Sequence, residues 1–279
     1  MLARTSEVKV LRDPIHGYVH IDLKVVWDCL NAREFQRLRR IHQLGGDFQV
    51  YHTAEHTRFS HSLGVYEIVR RMVREIPDIA ESFSEYEKCT AMLAGLLHDI
   101  GFLELWKDGQ EQTEFLQEYE TERYEKHVVS GYNLIKKMNI DQRIKQAVLT
   151  HHERVNGSGF PLQVMGDNIN WISRILAVAD TYDALTMRQG DKAGISAFEA
   201  IKKMEDEGYN RLDANYLMTF LKRIAETMIQ RNVILNDGRM GRVVMINKYK
   251  LSCPLVQVGD TFVDLAKQSR YYIQEILEE

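Results

Sequence analysis

The chain has few features that would staple it, interrupt it or carry it across a bilayer. It holds three cysteines and four prolines among 279 residues. Cys29, Cys89 and Cys253 are scattered and match no metal-ligand spacing. An odd, dispersed set builds no disulfide framework and fits a reducing compartment. Scarce proline leaves long stretches free to be helical. No stretch approaches the ~20 apolar residues of a membrane span. Met1 to Val10 has no apolar core of the signal-peptide kind. The expectation is a cytoplasmic protein with no membrane partner. Neither sign of charge dominates: 36 Lys and Arg against 40 Asp and Glu leave a net charge of -4, so no stable nucleic-acid binding is expected. No internal repeat and no low-complexity linker occurs.

What is present is a core-forming composition, 44% hydrophobic and 27% charged, of the kind found in helix-rich globular proteins. The length allows one large domain or two small ones. Val8 to Ile21 reads as short extended pieces around Asp13-Pro14 and His16-Gly17. Leu30, Phe35, Leu38 and Ile41 mark two short helices running into Leu44-Gly45-Gly46. Leu63, Tyr66, Ile68, Val69 and Met72 mark a helix ended near Pro77. Residues 102–123 are polar and acidic, a solvated helix face or surface loop. Helices are expected near 124–138, 141–152, 169–187, 195–207 and 213–231. After Asn232 the pattern changes: Val233-Ile234-Leu235, the turn Asn236-Asp237-Gly238 and Arg242 to Ile246 read as a β-hairpin. A further strand and a helix are expected from Thr261 onward.

The chemistry centres on His98 and Asp99, which end the helix through Ala91-Met92-Leu93-Ala94-Gly95-Leu96-Leu97. A helix apolar all round belongs inside a protein. Burying a carboxylate beside an imidazole costs several kcal/mol unless both are satisfied. The pair is therefore a hydrogen-bonded core couple or a pair of metal ligands. Similar placements recur: His151 and His152 follow Ala147-Val148-Leu149, and Asp180 follows Ile175-Leu176-Ala177-Val178-Ala179. His61 opens a helix with Val65 one turn on, and His127 precedes Val128-Val129. Taken singly, each is an ordinary core or surface group. Jointly, buried His and Asp at helix ends are hard to satisfy pairwise, and metal ions satisfy them at once. Nitrogen and carboxylate ligands without thiolate suit iron, manganese or zinc. A carboxylate can bridge two ions, and two ions a few Å apart can activate a shared water for attack at phosphorus.

These residues resemble the HD superfamily of metal-dependent phosphohydrolases through His61, His98-Asp99 and Asp180. The N-terminal third resembles the deoxynucleotide triphosphohydrolase branch in Asp13-Pro14-Ile15-His16-Gly17-Tyr18, Phe35-Gln36-Arg37-Leu38-Arg39, Gln43-Leu44-Gly45-Gly46 and Arg58-Phe59-Ser60-His61-Ser62-Leu63-Gly64-Val65. The remainder resembles the HD-GYP cyclic-dinucleotide phosphodiesterases in His98-Asp99-Ile100-Gly101, His127, His151-His152-Glu153, Asn156-Gly157-Ser158-Gly159-Phe160-Pro161 and Ala177-Val178-Ala179-Asp180-Thr181-Tyr182-Asp183-Ala184-Leu185-Thr186. The resemblance implies an all-α HD-domain helical bundle over residues 1–231 and a small C-terminal β-hairpin with a terminal helix over 232–279.

It also implies two divalent transition-metal ions. One would take His61, His98, Asp99 and Asp180; the second would share Asp99 and take His127, His151 and His152. A shared hydroxide would be the nucleophile, so Asp99, His98 and Asp180 are the implied catalytic set. Asp183 would orient a ligand by hydrogen bonding; its other reading is a solvated polar side chain or a helix cap. Arg58 and Gln43 match positions that contact nucleotide phosphate and sugar, and ordinary ion pairing is the alternative for Arg58. Departures from the HD-GYP pattern are Phe102 where a phosphate-binding Lys is usual, Phe160 for Tyr, Asn156 for Asp, and Gln189 for Arg. Arg188 stands one place early, and Lys192 fits the later basic position. The expected substrate is a nucleotide: a cyclic dinucleotide first, a deoxynucleoside triphosphate second. A domain that senses nucleotides without hydrolysing them is the third reading, and a homodimer is left open. His16, His20, His42, His52 and His56 read as structural, with His56 close enough to His61 in sequence to approach substrate. The run Arg33, Arg37, Arg39, Arg40 reads as a solvated or ion-paired face, and the methionines as core filler.

Overall fold

A computed structural model describes residues 3–13, 17–41, 57–105, 117–187 and 194–277. Gln43, Arg188 and Lys192 lie outside them. The chain forms two compact units, Met1–Gly194 and Ile195–Glu279. The division falls ahead of the expected one after Arg231.

The first unit begins with an antiparallel pair, β1 (Arg4–Asp13) and β2 (Gly17–Leu23), in the register Asp13 to Gly17 and Leu11 to Val19. The extended pieces expected around Asp13-Pro14 are thus one hairpin. Val19, Ile21 and Leu23 alternate inward along β2 and are buried. Two short helices follow, α1 (Lys24–Asn31) and α2 (Arg33–Gln36), the latter continuing as a 3-10 turn over Arg37–Arg40. Next comes α3 (Arg58–Glu75), whose first turn is fixed by a capping box. The Thr57 hydroxyl accepts from the Ser60 N–H, and the Ser60 hydroxyl accepts from the Thr57 N–H. After the short α4 (Pro77–Ala80), Ser84 and Glu87 cap α5 (Glu85–Leu97) in the same way. From Cys89 to Leu97 every residue of α5 is buried, as its sequence requires.

A single turn leads to α6 (Phe102–Leu105). Gly101 is needed there: a Cβ at that position would lie 1.9 Å from the His127 carbonyl oxygen and 2.5 Å from the Gly131 N. Backbone therefore meets backbone where this turn crosses α7 (Gln117–Ile135). That helix starts earlier than the expected residue 124. Then come α8 (Gln142–Thr150), capped by Asp141, and α9 (Trp171–Thr186), capped by Asn170. In α9 the residues Ile175 to Asp180 are all buried.

The second unit holds α10 (Ala197–Gly208), α11 (Ala214–Thr227) and a five-stranded antiparallel sheet. Its strands are β3 (Asn232–Leu235), β4 (Met240–Met245), β5 (Leu255–Val258), β6 (Thr261–Asp264) and β7 (Ile273–Ile276), in the order β6-β5-β4-β3-β7. The β3–β4 hairpin forms at Asn236-Asp237-Gly238 as expected. The all-α description and the small hairpin are corrected: β5, β6 and β7 extend it, and residues 261–277 contain strands and no helix. Val233, Val243, Val256 and Val263 bury one face of the sheet, which a two-stranded hairpin could not do. Among the described residues no helix is long and apolar enough to cross a membrane.

Candidate metal centre

The polar groups of the first unit meet where the start of α3, the ends of α5 and α8, and the middle of α7 and α9 converge. The capped start of α3 presents Arg58 and His61, one turn apart. The end of α5 and the turn after it bring His98 and Asp99. His127 projects from α7, and His151 and His152 end α8. Asp180 and Asp183, again one turn apart, come from α9. Each of these residues is buried. Surroundings of α5 and α9 side chains exclude water, so the groups must satisfy one another or a guest.

Four of the histidines are fixed through Nδ1. His98 Nδ1 donates to the Gly95 carbonyl at 2.7 Å and His151 Nδ1 to the Val148 carbonyl at 3.0 Å. His127 Nδ1 donates to the Tyr124 carbonyl. A carbonyl only accepts, so each Nδ1 carries the proton and each Nε2 keeps its lone pair. His61 is tied at Nδ1 to Asp183 Oδ2, 2.7 Å away. The free edges then face each other: His98 Nε2 lies 3.3 Å from His61 Nε2, and His127 Nε2 lies 3.3 Å from His151 Nε2. Opposed imidazole lone pairs are satisfied by a cation between them.

Asp99 stands between the two pairs. Its Oδ1 is 3.3 Å from His127 Nε2, 3.6 Å from His98 Nε2 and 3.9 Å from His151 Nε2. Its Oδ2 is 3.7 Å from His61 Nε2 and accepts from Arg58 Nη1 at 2.9 Å. Ligand atoms of Asp99, His127, His151 and His152 fall within 4.8 Å of one another, as do those of His61, His98 and Asp99. Asp180 lies beside both groups, with Oδ1 3.0 Å from His61 Nε2 and Oδ2 3.8 Å from His152 Nδ1. The donor set, nitrogen and carboxylate with no sulfur, fits hard or borderline divalent ions.

Protonation follows the same logic. Burial pushes His61 down, but its bonds to Asp180 and Asp183 outweigh that and hold it at about 10. That position therefore calls for positive charge, a proton or a metal ion. Burial lowers His98, takes His151 to about 3 and puts His152 well below the usual imidazole range. These rings are neutral at pH 7, as ligation requires. Burial works against ionised Asp99, yet His98, Arg58 and His127 keep its carboxyl well below the ordinary range. Asp180 is lowered against the same burial penalty, chiefly by His61 and His152.

Around this cluster lies an aromatic shell that sequence reasoning did not foresee. Phe102 stacks on His127 with centroids 4.4 Å apart and planes at 15°, and the Arg58 guanidinium sits 3.8 Å from the Phe102 centroid. Two planar groups so close cannot share one face, so the ring is held between them. Where the resemblance has a Lys on α6, this chain has an aromatic platform, and the cation reaches in from α3. The Tyr124 hydroxyl, kept protonated by burial, lies 3.1 Å from His152 Nε2. The signal for Tyr124 was its place one turn before His127. The signal for Glu153, 2% exposed, was its place directly after a buried histidine.

The chain is similar to known proteins in sequence and in fold. The HD domain family matches residues 53–216. Over 261 residues the chain is 28% identical to the cyclic di-GMP phosphodiesterase PA4108 of Pseudomonas aeruginosa, covering 92% of this chain and 60% of that protein. Over 96 residues it is 41% identical to the deoxynucleoside triphosphate triphosphohydrolase SAMHD1 of Bos taurus, covering 34% of this chain and 16% of that protein. The chain thus spans three fifths or less of the length of these curated relatives. Bd1817, an HDG"Y"P protein from Bdellovibrio bacteriovorus, shares the fold with a TM-score of 0.50 at 15% identity, over 72% of this chain and 60% of that one.

Proposed function

The chain belongs to the HD domain family, and from that premise we propose that it is a metal-dependent phosphohydrolase that cleaves a phosphate ester bond in a nucleotide, a cyclic dinucleotide first of all. The observation that carries this reading is Asp99, set between two imidazole pairs whose Nε2 atoms face each other at 3.3 Å. His61, His98 and Asp180 would hold one divalent ion, and His127, His151 and His152 a second, with Asp99 shared. Two bound ions supply Lewis acidity and an activated water for in-line attack at phosphorus. The chain's own groups do the positioning. Asp183 fixes the His61 ring through Nδ1, and the carbonyls of Gly95, Tyr124 and Val148 fix the other rings. Burial excludes bulk water from the cluster. Arg58, anchored on Asp99 and Phe102, offers guanidinium N–H groups beside the place where a phosphate oxygen would sit.

The full complement of second-site histidines favours a phosphodiester substrate. Arg58 and the identity to SAMHD1 favour a second reading, a deoxynucleoside triphosphate triphosphohydrolase. The deciding experiment measures kcat/KM of Mn²⁺- or Fe²⁺-loaded protein on cyclic di-GMP and on deoxynucleoside triphosphates, with metal content determined alongside. Turnover of the cyclic dinucleotide is expected. Arg58→Ala should lose about 1.5–3 kcal/mol of transition-state binding with metals retained, the value of a charge-assisted pair. Turnover confined to triphosphates would replace the first reading by the second. Nucleotide binding without hydrolysis in a fully loaded protein would make it a sensor.

A further inference from the structure

His152 differs from the other histidines in how it is held. His61, His98, His127 and His151 are each fixed at Nδ1 by an acceptor of the helices around them. His152 meets the Tyr124 hydroxyl through Nε2, and its Nδ1 lies 3.8 Å from Asp180. Beyond α8 the chain turns and folds back on residues 152 and 153 by residue 163.

The return is backbone on backbone. A Cβ on Gly159 would lie 2.4 Å from the His152 carbonyl oxygen and 2.5 Å from both Arg154 N and Glu153 Cα. No side chain fits there. The Phe160 N–H then donates to the His152 carbonyl at 3.3 Å. The Phe160 ring lies on the His152 imidazole, centroids 4.7 Å apart and planes at 27°. His151 is 4.2 Å from the same imidazole. Glu153 closes the loop: its Oε1 accepts from the Leu162 N–H at 2.6 Å and the Gln163 N–H at 3.1 Å. Its Oε2 is buried with no hydrogen-bond partner among the described residues. Gln163 has φ +54°, which a residue with a side chain adopts only when its surroundings impose it. The bond from its N–H to Glu153 is such an imposition.

We propose that the return loop 153–163 is a strap that sets the plane of the His152 imidazole for the second metal position, with Glu153 as its positioning residue. The proposal rests on the two-metal reading above. Glu153 is not among the residues whose ligand atoms cluster at the site. It acts through the strap, and the strap acts through Phe160 on His152. A partner that orients a ligating histidine typically changes metal affinity 10- to 100-fold.

The test is Mn²⁺ titration of the metal-free full chain, followed by electron paramagnetic resonance. Wild-type protein should bind two equivalents and show an exchange-coupled pair. Glu153→Ala and Phe160→Ala should bind the first equivalent as wild type does, which also shows that they are folded. Their second equivalent should bind about 10- to 100-fold more weakly, with loss of the coupled signal at stoichiometric Mn²⁺. Glu153→Gln keeps an oxygen facing both N–H groups and should restore most of the affinity. A coupled pair of wild-type affinity in both Ala variants would overturn the strap alone. So would equal weakening of both equivalents, because the effect would not be specific to His152. A wild type that binds fewer than two equivalents would overturn the two-metal reading and the strap with it.

Discussion

Asp183 is the residue on which the His61 geometry turns. It is fully buried, and its Oδ2 lies 2.7 Å from Nδ1, which leaves Nε2 aimed at His98 and Asp180. A carboxylate behind a ligating imidazole fixes both the tautomer and the ring, and raises ligand basicity. Asp183→Ala should therefore lower metal affinity about 10- to 100-fold. Asp183→Asn keeps an acceptor but drops the charge, and should fall between. A competitive-chelator titration reads both; affinity unchanged in Asp183→Ala would remove Asp183 from the site. His127→Ala makes a different demand, since it leaves Phe102 without its stacking partner as well as removing a ligand. It should cost the second ion and spare the first.

At the scale of elements, four of the helices that carry candidate ligands, α3, α5, α8 and α9, are capped by a side chain at the N-terminus, and α8 shows how. Asp141 caps it by accepting from the Arg143 N–H at 2.8 Å and pairs with the Arg143 guanidinium at 2.9 Å. The Arg143 hydrogen bond is the largest influence on the Asp141 carboxyl, which is held at about 2 against an ordinary 3.8. The folded value is the lower one. The stabilisation is thus complete above the unfolded value near 3.8 and is lost as pH falls through about 2. Asp141→Ala should cost about 1 kcal/mol at neutral pH through loss of the cap. Asp141→Asn should keep most of the cap and flatten the stability profile between about pH 4 and 2. Urea unfolding across that range checks both. An Asn variant whose profile matches wild type would show that the cap, not the charge, carries the effect.

For the whole molecule, the candidate ligands all lie in the first compact unit, on α3, the turn after α5, α7, α8 and α9. Ions held by these elements would tie together segments from His61 to Asp180. A ligand that binds only the folded state stabilises by RT ln(1 + [L]/Kd), about 2.7 kcal/mol at 100 times Kd. Mn²⁺ should raise the unfolding temperature of the unit 1–194, and EDTA should reverse the shift. The unit 195–279 carries none of these ligands, so a transition belonging to it should not move. Asp99→Ala should abolish the shift altogether. Calorimetry with and without metal makes the measurement, and a metal-dependent shift that survives in Asp99→Ala would place the ions elsewhere.

Much of this was legible in the order of residues. Apolar runs locate α5 and α9, because a helix with no polar face has nowhere to go but inside. Polar groups at the ends of such runs, His98-Asp99, His151-His152 and Asp180, announce a site, since burial without partners is too costly. Asn236-Asp237-Gly238 announces the β3–β4 turn for equally local reasons. The five-stranded sheet was legible only in part: a strand was expected from Thr261, where β6 begins, but β5 and β7 are four residues each, too short for alternation to stand out, and β7 pairs with β3, distant in sequence. The extended character of residues 8–21 was legible, but not that β1 and β2 pair as one hairpin with Val19, Ile21 and Leu23 turned inward. Only the folded chain decides that Asp183 backs His61, that Phe102 lies between Arg58 and His127, and that Glu153 ties down residues 162 and 163. Periodicity tells which face of an element is buried. What that face meets depends on how separate elements pack, and at this site the packing, not the spacing, aims the lone pairs at one another.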